Sequence, residues 1–192
     1  MVNSEFDGLF TTDRLILRAF KEGDEQRCFD LLDDIRVQPN IIAGYIAPLG
    51  AKFKEEFRAR LNGMTFLAAI ITKGTGEWVG ITTLRTENPK NRDGIFGIVL
   101  MPEHWNKGYG TEVTKWMVDH AFHWLAMHRV SLDVYEINER AIDLYKRVGF
   151  IEEGRRRKSN WVDGRWTDVV SMGILEDEWR ERKAQASSLK ES

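Results

Sequence analysis

Two stretches of this chain carry residue types and spacings suited to chemistry. The first is Asn138-Glu139-Arg140-Ala141-Ile142-Asp143-Leu144-Tyr145-Lys146-Arg147-Val148-Gly149-Phe150. Asn138 suits a helix N-cap, because its side-chain carbonyl can accept an otherwise unpaired N–H of the first turn. Ala141, Leu144, Tyr145 and Val148 recur at helical spacing, and Gly149 suits the left-handed position just past a helix end. Tyr145 falls about 10 Å along the axis from the cap, on nearly the same face as Asn138. A phenol there can donate a proton or a hydrogen bond; the alternative is a tyrosine that only packs. The second stretch is Asn106-Lys107-Gly108-Tyr109-Gly110-Thr111, ahead of a long helical pattern. Glycines at alternate positions permit a tight turn and close approach of a ligand. The unpaired N–H groups and partial positive charge of the helix start hold an anion, and Lys107 adds a point charge. That suits a pyrophosphate, with a plain structural turn as the alternative. The turn lacks Gly-Lys-Ser/Thr, and Val113 stands where a dinucleotide fingerprint needs its third glycine, so neither of those phosphate motifs applies.

The elements that must position these residues alternate between strand and helix. Leu15 to Leu17 predicts a strand, and Gly23 or Asp24 to Ile35 a helix with Cys28, Leu31, Leu32 and Ile35 inward. Pro39 to Gly50 reads as loop, and Phe53, Phe57 and Leu61 mark a second amphipathic helix. Met64 to Ile71 and Trp78 to Leu84 predict a hairpin. A turn over residues 88–94 leads into a strand from Ile95 to Met101. A long helix follows from about Gly108 to Met127, with Val113, Met117, Ala121, Trp124 and Leu125 along one side. Val130, Leu132 and Val134 alternate with polar residues, as in a half-buried strand. After the tyrosine helix, strands near 150–159 and 166–175 flank an Asp163-Gly164 hairpin turn. From Glu176 the chain is charged, and Ala184 to Ser192 reads as a frayed tail. This pattern predicts one α/β domain with a mixed sheet, in which 95–135 forms a right-handed crossover between parallel strands.

Composition sets outer bounds. A chain of 192 residues fits one domain with a substantial core. Its 28 basic and 30 acidic residues nearly cancel, which argues against a nucleic-acid partner or an anionic membrane. The single cysteine, Cys28, rules out an internal disulfide and fits a reducing compartment. On its helical stripe it reads as a buried structural thiol. Asn3, Ser4, Glu5 and Asp7 interrupt any signal-like apolar run, and the longest apolar stretch, Phe66 to Ile71, is strand-sized. A cytoplasmic protein is expected.

Together the glycine turn and the tyrosine helix, separated by a helix and a strand, resemble the GNAT acetyltransferase superfamily. Thr12-x-Arg14-Leu15-Ile16-Leu17-Arg18 is similar to the branch with ribosomal-protein N-terminal and spermidine acetyltransferases. Glu153-Gly154-Arg155 and Asp163-Gly164-x-Trp166-x-Asp168 match the same branch. The resemblance covers residues 11–179 as the domain, leaving 180–192 as the tail. It implies a mixed, splayed sheet of six or seven strands with acetyl-CoA in the split between the two parallel central strands, and no metal. The implied reaction is direct attack of a primary amine, on a protein N-terminus or a small molecule, upon the thioester. Tyr145 would serve as general acid to the leaving thiol, tyrosine and thiol pKa values of about 10 and about 8.5 being compatible with that transfer. Asn138 would contact the pantetheine arm. Backbone groups of Val99, Leu100 and Met101 would pair with that arm, and the Leu100 N–H would polarise the carbonyl. The pyrophosphate would sit on Asn106, Lys107, Gly108, Tyr109, Gly110 and Thr111.

The chain departs from the family pattern twice. Trp105 stands where relatives carry Arg or Gln, and the strand before the turn lacks their glutamate base. Glu136, after the next parallel strand, is the best substitute, and a water chain is the other route. A non-catalytic acyl-CoA-binding module is the competing class, and both a monomer and a homodimer stay open. His120 and His123 lack a third metal ligand, and His104 and His128 read as surface histidines. Arg155 to Lys158 reads as a solvated hairpin edge or as an attractor for the adenosine phosphate. Asp30, Asp33 and Asp34 read as a solvated helix face or as a draw for a cationic amine. Trp161 and Trp166 are candidates for lining an acceptor pocket.

Overall fold

A computed structural model describes residues 10–42 and 44–191. Asn3, Ser4, Glu5, Asp7 and Ser192 lie outside that range. Eight strands and five α-helices appear among the described residues, with strand order β1-β2-β3-β4-β5-β6-β8-β7. The expected mixed sheet is present, and its count exceeds expectation through the two-residue strand β1 (Phe10–Thr11). The chain divides into two compact units: one reaches to Arg85 and includes Gly97–Trp116, the other holds Thr86–Phe96 and everything from Met117. Strand β5 (Asp93–Leu100) and helix α3 (Tyr109–His123) each contribute to both.

In the first unit, β2 (Leu15–Arg18), β3 (Phe66–Thr72) and β4 (Trp78–Arg85) pair antiparallel. Their runs are apolar at successive positions because both faces are covered, so alternate residues enter separate cores. Ile16, Ala69, Ile71 and Ile81 pack with Cys28, Phe29, Leu31 and Leu32 of α1 (Asp24–Leu32) and with Phe57 and Leu61 of α2 (Ala51–Asn62). Leu15, Leu17, Ala68, Ile70 and Val79 pack with Val113 of α3 on the other face. Helix α1 stops at Leu32, three residues short of expectation, and Ile35 is 67% exposed. Cys28 is fully buried, and that burial first, then Asp24 and Glu25 nearby, pushes its thiol up to about 12.

In the second unit, β6 (Arg129–Tyr135) pairs antiparallel along its whole length with β8 (Arg165–Leu175), which pairs in turn with β7 (Ile151–Val162). The crossover is as expected: β5 and β6 are parallel, in a register from Asp93↔Arg129 to Ile95↔Ser131. Helix α3 ends at His123, so Trp124, expected inward, is 73% exposed. Helix α4 (Glu139–Val148) lies within one residue of its expected bounds, but buries Ile142 beside Tyr145. The charged C-terminal segment forms α5 (Glu176–Glu191), which continues into the stretch from Ala184 expected to fray; near its start Trp179 meets Phe122 at 5.3 Å and its indole N–H donates to Asp119.

Two sequence details carry disproportionate weight. Asp24 is 1% exposed at the start of α1, gripped by both terminal nitrogens of Arg18 and by the Lys21 amide at 2.8 Å. Burial alone would raise its carboxyl, but those partners, with Arg27 behind them, hold it below the ordinary value of about 3.9. Its folded pKa being depressed, the stabilisation is present above pH about 4 and lost as pH falls through the folded value. Asp24→Asn should therefore cost about 2 kcal/mol near neutrality, the deficit against wild type shrinking in acid. Urea melts at pH 7 and pH 3.5 check this, and a pH-independent deficit contradicts it. The second detail is Gly80. Ile70 pairs with Gly80 and Ile71 with Trp78, leaving Val79 as the extra residue of a β-bulge. A Cβ on Gly80, at φ 155°, would lie 2.1 Å from the Val99 carbonyl oxygen of β5. Gly80→Ala should destabilise by at least about 2 kcal/mol, read as a lowered thermal midpoint.

Candidate functional site

The glycine turn takes the conformation its residues suggest. Asn106 at φ 60° and Gly108 at φ 80° both adopt the left-handed region, and α3 begins at Tyr109. Left-handed turns of this kind gather successive N–H groups into an anion-binding concavity. Asn106, Lys107 and Gly108 are exposed, while Tyr109, Gly110 and Thr111 are half-buried. Thr114 ties the first helical turn by donating to the Gly110 carbonyl at 2.7 Å. Lys107 forms no ion pair among the described residues, so its charge is available to an anion.

Just upstream, β5 offers an open edge. It is a central strand, yet Gly97, Ile98, Val99 and Leu100 are all only half-buried. Successive residues of a strand turn their N–H and C=O groups to opposite sides. The Met101 amide donates to the Val79 carbonyl at 2.9 Å, and the Gly97 carbonyl accepts from Thr82. Gly97, Val99 and Met101 therefore face β4, whereas Ile98 and Leu100 face away from it. Of the three residues read for the pantetheine arm, Leu100 alone turns its amide to that side, and Ile98 joins it. Alternation along the strand could have shown this, had the direction of one residue been known. Trp105 donates its indole N–H to the Leu100 carbonyl at 2.8 Å. The Leu100 N–H is left as the group that faces outward.

The second unit holds the other candidates. Asn138 caps α4, its side-chain oxygen accepting from the Ala141 amide at 3.2 Å. Its amide nitrogen has no partner among the described residues, so capping leaves that donor available. Tyr145 is 8% exposed, with Phe96 edge-on at 6.2 Å and Phe150 at 5.7 Å. Its hydroxyl makes no hydrogen bond among the described residues. Burial raises it above the ordinary tyrosine value, so it keeps its proton and is a weaker acid than a free phenol. Glu136 is engaged on both oxygens, by Arg155 at 3.4 Å and by the Asp168 amide at 3.1 Å. Its side chain is nonetheless 47% exposed, which leaves lone pairs toward water.

The remaining polar groups mostly follow the plainer readings. Arg155 meets Glu152 and Glu136, and Arg156 meets Asp133, which ties half of the basic run into the hairpin. Trp161 and Trp166 form a cross-strand pair at 5.2 Å, each 57% exposed. His104 departs from its surface reading: it is 8% exposed beside Tyr109, and its Nδ1 is unpartnered. No group of side chains able to hold a metal ion occurs among the described residues. Nor is any helix there long and apolar enough to cross a membrane.

Comparison with known proteins places the chain among its relatives. The spermidine N(1)-acetyltransferase of Vibrio cholerae serotype O1 is 26% identical over 172 residues, covering 88% of this chain and 97% of that protein. The Escherichia coli K12 spermidine N(1)-acetyltransferase is 30% identical over 104 residues, 54% of this chain and 56% of that one. A crystal structure of spermidine N-acetyltransferase from Vibrio cholerae with CoA and spermine superposes with a TM-score of 0.73. It is 25% identical and covers 86% of this chain and 97% of that chain. The sequence model of the acetyltransferase (GNAT) domain matches residues 14–151. That match runs from Arg14, beside the glycine turn, to Ile151, just past the tyrosine helix. Both groups of candidate residues fall inside it, and the chain belongs to the GNAT acetyltransferase family as an N-acetyltransferase.

Proposed function

We propose that the protein moves the acetyl group of acetyl-CoA to a primary amine of a polyamine. The observation that carries the thioester half is the outward amide of Leu100 on an open strand edge, followed in sequence by an exposed glycine turn at a helix start. A long donor with an anionic end and an amide-bearing arm fits such an edge, as an added strand would. Ile98 and Leu100 pair with the arm, Asn138 donates to it, and Asn106 to Thr111 take the pyrophosphate. The acceptor class rests on relatives named for spermidine and on the spermine bound in the Vibrio cholerae structure. Asp30 and Asp33, exposed near the end of α1 and without a cationic partner among the described residues, suit a polycation.

In this reading the amine nitrogen attacks the thioester carbon, and the Leu100 N–H stabilises the oxygen as charge builds on it. The carbon–sulfur bond then breaks, and Tyr145 donates to the departing sulfur. Because burial raises Tyr145, its contribution is a hydrogen bond to the thiolate rather than complete proton transfer. The ammonium proton leaves through water to Glu136.

Thiol release from acetyl-CoA should depend on added spermidine or spermine. CoA binding without turnover on any polyamine would refute the acceptor assignment. Tyr145→Phe should lower kcat by about 10²-fold with little change in KM for acetyl-CoA. The working form of Tyr145 is the protonated one, so wild-type kcat/KM should rise with pH and show no descending limb up to pH about 10. Glu136→Gln should lower kcat/KM by about tenfold at pH 7, and the loss should fade at high pH as the amine deprotonates unaided. A loss constant across pH would assign Glu136 to holding Asp168 instead.

A further inference from the structure

The segment Thr12–Arg14 lies across the start of α3 and makes contacts that neither strand pairing nor core packing requires. The Arg14 amide donates to Glu112 Oε1 at 2.8 Å and its Nε to Oε2 at 2.7 Å, while the Thr12 hydroxyl donates to the same carboxylate. Arg14 Nη1 reaches past Glu112 to the Lys107 carbonyl at 2.9 Å, and the guanidinium lies 4.8 Å from the centre of the Tyr109 ring. A Cβ on Gly108 would come within 3.2 Å of Arg14 Nη2, so the arginine sits flush against the glycine.

We propose that Arg14 is a positioning residue for the phosphate-binding turn, setting which of its peptide groups face the anion. A trans peptide directs its C=O and N–H oppositely. With the Lys107 carbonyl drawn to Arg14, the N–H of Gly108 must point away from the arginine, and the missing side chain of Gly108 leaves room for Nη2. Glu112 supplies the anchor. A carboxylate in the first turn of an anion-binding helix would repel phosphate, but the guanidinium and the Thr12 hydroxyl neutralise and fix it. The arginine's charge is thereby committed to Glu112, so it acts through the turn rather than as a phosphate ligand.

This inference rests on acetyl-CoA being the donor. It is tested on the full chain by calorimetric binding of CoA, with steady-state kinetics for acetyl-CoA and for acetyl-pantetheine, which lacks the pyrophosphate. Arg14→Lys keeps the charge but loses the planar fork. It should weaken CoA binding and raise KM for acetyl-CoA by about tenfold, with kcat within about twofold and acetyl-pantetheine turnover unchanged. Glu112→Gln should shift the same parameters in the same direction by a smaller factor, and it serves if the Arg14 variant does not fold. Wild-type affinity for CoA in Arg14→Lys, or equal losses with both thioesters, would overturn the proposal. Failure of the wild type to bind CoA would instead remove the donor assignment on which it stands.

Discussion

The hydrogen bond from the Met101 amide to the Val79 carbonyl decides the direction of every backbone group at the end of β5. Once Met101 faces β4, alternation assigns Val99 to the same side and Leu100 to the other. The bulge at Val79 and the missing side chain of Gly80 make that bond possible, because the Val99 carbonyl occupies the space where a Cβ would stand. Trp105 then takes the Leu100 carbonyl, so a single N–H remains directed outward at the strand's end. The chemistry proposed for this protein needs one well-placed donor at a carbonyl oxygen, and this chain of constraints supplies one from backbone alone.

Much of the architecture is legible in the residues, and the exceptions have specific causes. Helix α4 declares itself through Asn138, Gly149 and its apolar spacing, all local signals. Strands β2 and β3 are legible as continuous apolar runs, because a strand covered on both faces has no polar side to show. Ile35 and Trp124 lie outside their expected helices because both helices stop early, and hydrophobicity continues past a helix end without marking it. The helix over 176–191 is hidden for the opposite reason: its charge masks an anchor, Trp179, whose partners Phe122 and Asp119 lie far away in sequence. The direction of Leu100 was beyond reach, since it depends on a bulge in another strand.

Tyr145 shows why a residue's type and its environment must be weighed separately. Family resemblance marks it as the donor to sulfur, and free-solution values make proton transfer plausible. The fold places it among Phe96, Phe150 and the α4 stripe, and burial raises its pKa. A donor that holds its proton more firmly transfers it less readily, yet it remains protonated at neutral pH. In a site with little water, a hydrogen bond to a thiolate is stronger than in bulk solvent. In the proposed mechanism, the apolar surroundings that weaken Tyr145 as an acid therefore strengthen it as a stabiliser of the leaving group.

A comparable exchange operates at the start of α3. Glu112 carries negative charge into the first turn, where the helix itself offers a positive end to an anion. Burial raises its carboxyl, but hydrogen bonds from Thr12 and Arg14 and the nearby guanidinium outweigh that and keep it ionised. The pair is close to neutral seen from outside, which in the proposed mode of binding leaves the turn's N–H groups and Lys107 to meet the phosphate. Arg14 alone, without Glu112, would be a mobile surface cation able to bind phosphate in many poses. Tied to the glutamate and to the Lys107 carbonyl, it has one pose, and so does the turn. Rigidity of the turn follows from a carboxylate that would, taken by itself, oppose the ligand.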